Sequence, residues 1–95
     1  MILNVMEHHV LEAYHRLRDR VDGFKHTPGH QEDVVVYALN RLPPKYVVSE
    51  EGKAVTEVAL DAPQQRAAIE VQVIEALKLV ARVPREVRRD HTPGS

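Results

Sequence analysis

The stretch AAIEVQVIEALKLVAR, residues 67–82, constrains the fold more than any other part of the chain. Ile69, Val73, Ala76, Leu77 and Val80 recur in it at intervals of three and four, which gathers apolar side chains on one stripe of an α-helix. The alternation in IEVQV also suits a strand, but the IEALKLVAR that follows it is too long and too helical in type for one. Asp61 is placed as the N-cap, with Pro63 in the first turn, and the helix runs to about Arg82. Val71, Ile74 and Leu79 fall outside the stripe, so the apolar arc is wide. A helix apolar around most of its girth needs two surfaces to pack against. With two other helices available, the expected second surface is another subunit, and a homodimer is predicted.

The N-terminal segment reads as a helix from about Asn4 to Arg20. Leu3, Met6, Val10, Tyr14, Leu17 and Val21 keep the same spacing. Asn4 suits an N-cap, and Glu7 three residues on gives the capping-box arrangement in its Asn form. Arg16, Arg18 and Arg20 sit in the C-terminal half, where cations complement the helix dipole. Asp22-Gly23-Phe24 supplies the turn. KHTPGHQED then reads as a loop punctuated by Pro28 and Gly29, and a second helix is expected over Glu32–Leu42. Val35, Ala38, Leu39 and Leu42 point inward in this reading, with Asp33, Tyr37, Asn40 and Arg41 opposite. Pro43 and Pro44 stop the helix, because neither donates a backbone hydrogen bond and each biases its predecessor to extended geometry. Tyr46–Val48 reads as extended, Gly52 as a turn, and Lys53–Leu60 as a short strand or a helical turn. The expected fold is all-α: a small dimeric three-helix domain over residues 1–84, with a short extended or turn segment between the second and third helices. A flexible basic tail follows at 85–95. The tetrapeptide HTPG occurs at 26–29 and again at 91–94, too short a match to be an internal repeat.

Composition narrows the function. A chain of 95 residues buries a limited share of its surface, and such domains often lean on a partner, a metal or disulfides. There is no cysteine, which removes disulfides and thiolate zinc sites. The start, MILNVMEHH, has neither the basic region nor the apolar run of a signal peptide or membrane span, so a cytoplasmic protein without membrane association is expected. A net charge of −1 argues against binding a nucleic-acid polymer by phosphate neutralisation. One Phe, three Tyr and no Trp leave little for a stacking platform, and the helix spacing does not fit a helix-turn-helix. No GxSxG, HExxH, P-loop or GxGxxG pattern is present, and no enzymatic activity is expected.

Two groups of residues can carry chemistry. His26 and His30, with Glu32 or Asp33 nearby and His8, His9 and His15 on the first helix, are candidate metal ligands. The spacing is loose, and exposed loop histidines are the commoner outcome. The second group is the corner ALNRLPPKYV, where Arg41 closes the second helix and Lys45 and Tyr46 follow the prolines. Two cations beside a ring suit a phosphorylated planar ligand: guanidinium takes phosphate oxygens in pairs or stacks on a base, and the phenol offers a face. Arg41 is more often a simple dipole partner, however, and Tyr46 a half-buried ring. The residues alone leave both readings open.

NVMEHHVLEAY, DVVVYALNRLPPKYV and GKAVTEVALDAPQQ, with the apolar helix after them, resemble the late competence development protein ComFB family over roughly Asn4–Val80. ALNRLPPKYV, with Gly52, Thr56 and Gln64 at matching offsets, is the most specific part. The resemblance implies a small, mostly helical bacterial homodimer without catalytic activity or cofactor. It implies a receptor for a cyclic dinucleotide, cyclic di-GMP or cyclic di-AMP, that acts through an unidentified downstream protein on motility, competence or pili. Some members carry a C-x-C-x-x-C cluster before the second helix. Here His30 stands where the last cysteine would be and His26 near another, so loss of the metal is expected. Asn40, Pro43, Pro44 and Tyr46 match the family motif. Asn40 would read a base edge or cap the helix, and Tyr46 would stack. Arg41 would meet phosphate or a guanine edge. Charge adds Lys45 as a second phosphate contact and Arg66, at the start of the third helix, as a third.

Overall fold

The computed structural model describes residues 2–48, 55, 56, 58–60 and 62–83. A two-residue strand β1 (Leu3–Asn4) leads into helix α1 (Val5–Leu17), which tightens into a 3-10 turn at Arg18–Arg20. Helix α2 (Pro28–Leu39), strand β2 (Tyr46–Val47) and helix α3 (Pro63–Arg82) follow, and residues 55, 56 and 58–60 are also helical. The domain is therefore mostly helical, with a minor two-stranded antiparallel sheet that pairs Leu3 with Val47 and Asn4 with Tyr46. The expected helical class holds at this level, and the stretch read as extended after the prolines supplies strand β2. Isolated strands this short are marginal; here the pairing is anchored at a helix start.

Helix α1 begins where Asn4 predicts. Its side chain accepts from the backbone N–H of Met6 at 3.2 Å, covering one of the first-turn donors. The other half of the expected capping box is replaced: Asn4 Oδ1 also accepts from Lys45 N at 2.9 Å, while Glu7 lines a groove against α2. Gly23 has φ +83°, a backbone state that suits glycine, and it turns the chain towards α2.

Helix α2 departs from the expected Glu32–Leu42. It starts at Pro28, because Thr27 caps it by accepting from His30 N at 3.0 Å and a proline at the first helical position costs nothing. What looked like loop punctuation is a helix start. Its inward face is also rotated from the expected one: Val34 and Ala38 are fully buried, while Val35 and Leu39 are half-buried. Its end at Leu39 is followed by a turn through Asn40 and Arg41, and Leu42 is buried before the prolines.

Helix α3 buries Ile69, Val73, Ala76, Leu77 and Val80, the stripe read from spacing. Ala62 occupies its N-cap position with no side-chain cap; Asp61, the expected N-cap, lies outside the described residues, as do Gly52 and the tail at 85–95. The wide arc finds two walls inside the chain, since α3 packs against both α1 and α2. Ile74 joins the core from its edge and Val71 stays 53% exposed. A second subunit is thus not required to cover the stripe. Within Lys53–Leu60, expected as a short strand or a helical turn, the described residues are helical, with Leu60 in the core.

Candidate functional site

The corner after α2 is held from below by α1. Val5 N donates to Lys45 O at 2.8 Å and Lys45 N donates to Asn4 Oδ1, so the backbone of Lys45 is fixed on both sides while its side chain remains exposed. Pairing of Tyr46 with Asn4 continues the attachment, and the Tyr46 ring is left 64% exposed. Asn40 is the C-cap residue of α2, and its N–H is bonded to Val36 O at 3.0 Å; its side chain is exposed.

Arg41 lies over the ring of Tyr37, its guanidinium carbon 3.7 Å from the ring centroid, and Nη1 donates to Tyr37 O at 3.4 Å. The sequence groups Arg41 with Lys45 and Tyr46 and places Tyr37 on the same outward face without a role. The signal was present in the four-residue separation, which brings side chains together on a helix. One face of the guanidinium is occupied by Tyr37 and the arginine is exposed, so a planar ligand can stack on the other face.

Arg66 occupies a different place. It lines a depression of about 390 Å³ between α1 and α3, together with His9, Glu12, Ala13, Arg16 and Ile69. None of the four corner residues is among them. The two regions follow one another along α1: Lys45 is fastened at Val5, and His9 lies about 6 Å farther along the helix axis. Arg16 is held by Glu70 at 3.1 Å, whereas Arg66 has no ion-pair partner among the described residues. His9 Nε2 is buried and without a hydrogen-bond partner among them.

The histidines offered for metal are drawn into separate bonds. Tyr14 Oη lies 2.6 Å from His26 Nδ1, and His30 Nδ1 lies 2.7 Å from Lys25 O, which can only accept. His30 falls inside α2, not in a loop. Among the described residues no group of three His, Asp or Glu side chains is assembled to hold a metal ion, so the residues present do not fit a zinc site. Local desolvation, then the Arg18 and His15 charges, lowers the pKa of His26, and burial raises that of Tyr14.

The match to the late competence development protein ComFB family model extends over residues 3–84. The chain belongs to this family. In three dimensions it is similar to the late competence protein ComFB from Bacillus subtilis, at a TM-score of 0.81 and 26% identity, covering 92% of this chain and 96% of that one. No curated protein matches the sequence. The ComFB match takes in the corner, the depression and the Tyr14–His26 pair together. Among the described residues no helix is long and apolar enough to cross a membrane.

Proposed function

We propose that this ComFB-family chain is a non-enzymatic cytoplasmic receptor for a cyclic dinucleotide second messenger, cyclic di-GMP first and cyclic di-AMP second. It relays occupancy to a downstream protein. The observation that carries this reading is the exposed corner, where a guanidinium already seated on a phenol ring is followed by an ammonium and a second open ring. A cyclic dinucleotide offers two phosphates to Arg41 and Lys45, and the face of one purine to Arg41 or Tyr46. Preorganisation by Tyr37 and by the Asn4–Lys45 bond lowers the ordering cost of binding. Asn40, beside Arg41, supplies an amide for a base edge, and Arg66 a further cation along α1.

Calorimetry tests this directly. Cyclic di-GMP is expected to bind saturably, and Arg41→Ala to weaken it at least tenfold. At a ligand concentration a hundredfold above Kd, binding adds about 2.7 kcal/mol of apparent stability. Absence of heat and of a melting shift with every cyclic dinucleotide would overturn the proposal.

A second reading, a homodimeric interaction module, is supported by Val36, 56% exposed on α2, and by the adjoining groove of Leu11 and Val35. A twofold pair would also present the corner twice to a ligand that is itself nearly twofold. Light scattering decides the oligomeric state, and a monomer at every concentration removes this reading.

A further inference from the structure

We infer that the depression between α1 and α3 is a guanine pocket, in which Glu12 distinguishes guanine from adenine. This rests on the receptor reading above and assigns base specificity to it. The depression is lined mostly by polar atoms and has a charged rim. Ala13 and Ile69 close its floor but are only 1% and 4% exposed, so recognition falls to the rim. Glu12 and Arg16 stand on the α1 side, with Arg66 on the α3 side. At about 390 Å³ the volume falls within the size range of small-molecule sites.

Among the described residues the rim has hydrogen-bonding capacity left unused. The ion pair that Glu12 makes among them is with His8, at 3.7 Å, and both side chains are more than half exposed, so this pair holds the carboxylate weakly. Arg66 has no ion-pair partner among the described residues, and His9 Nε2 is a buried polar atom with none either. Buried polar atoms are rarely left unbonded, and one in the wall of a cavity calls for an explanation.

The chemistry of this rim favours one base. Guanine carries two donors, N1–H and N2–H, on its pairing edge, and a carboxylate accepts both with its two oxygens. Adenine has an unprotonated N1 there, whose lone pair repels Glu12. On the adjoining edge guanine offers O6 and N7, the acceptor pair that arginine reads, while adenine replaces O6 with an amino donor. Glu12, on α1, and Arg66, on α3, therefore each favour guanine.

The test is calorimetry of the wild type, Glu12→Gln and Arg41→Ala with cyclic di-GMP and cyclic di-AMP, with circular dichroism confirming that each variant folds. The wild type is expected to prefer cyclic di-GMP at least tenfold. Glu12→Gln should lose at least tenfold in affinity for cyclic di-GMP and change little for cyclic di-AMP, erasing the preference. Arg41→Ala should weaken both ligands alike. Full cyclic di-GMP affinity in Glu12→Gln alongside a loss in Arg41→Ala would overturn the guanine pocket and leave the receptor standing. A loss confined to Glu12→Gln would keep the pocket and remove the corner. A wild type that binds neither ligand, or prefers cyclic di-AMP, would overturn the pocket; only the former also removes the receptor.

Discussion

Arg41 and Tyr37 show how one local contact prepares a site. A guanidinium on an exposed ring gains about 0.5–1 kcal/mol, enough to favour one position of a long side chain without ending its freedom. Replacing Tyr37 by Leu keeps most of the packing and removes the ring's charge distribution. Affinity for cyclic di-GMP should then fall about two- to fivefold, against tenfold or more for Arg41→Ala, and an unchanged Kd in Tyr37→Leu would exclude the ring from the site. Tyr14 and His26 set a pH window. Tyr14 Oη and Nδ1 of His26 share one hydrogen bond at 2.6 Å. Because the folded pKa of His26 lies below its ordinary 6.5, its contribution to stability is complete above that value and is lost as pH falls through the lowered one. Tyr14, raised above 10.0 by burial, contributes stability that is lost as pH rises through its own raised value. Melting temperatures should therefore drop more for the wild type than for His26→Gln as the pH falls below 6.5; parallel curves would exclude His26 as a source.

At the scale of elements, short polar side chains decide where the helices begin. Thr27→Ala should cost about 1 kcal/mol in urea denaturation, because His30 N then loses its acceptor. Asn4 serves two elements at once, capping α1 and holding Lys45. Asn4→Ala is expected to cost about 2 kcal/mol, one part for the cap and one for the second bond. It should also weaken ligand binding, because the corner loses a fastening. A cost no larger than that of Thr27→Ala, with unchanged affinity, would show that the second bond is dispensable. Pro43 and Pro44 made a stop legible, although α2 ends at Leu39, before the expected Leu42. The start of α2 was misread because Thr-Pro-Gly suits a turn and a helix N-terminus alike, and only the side-chain bond to His30 distinguishes them.

For the molecule as a whole, stability rests on α3 lying between two partners. Leu77 is fully buried and Val71 is 53% exposed on the same helix. Leu77→Ala should cost about 2–5 kcal/mol through lost transfer energy and the cavity left behind. Val71→Ala should stay within about 0.5 kcal/mol, as surface changes usually do. If Val71→Ala proves strongly destabilising, and more so at higher protein concentration, that face is covered by a second copy.

Local sequence determined that this chain is helical, which face of α3 is buried and where α1 begins, because periodicity and capping depend on residues within a turn of one another. The family, too, was readable from the run around the double proline. Tertiary structure decided the rest. It rotated α2 onto Val34, paired Leu3 and Asn4 with Tyr46 and Val47, and gave α3 its second wall within the chain. It also separated Arg66 from the corner and brought Tyr14 to His26. Each depends on groups distant in sequence but adjacent in space, and local propensity carries no record of that adjacency.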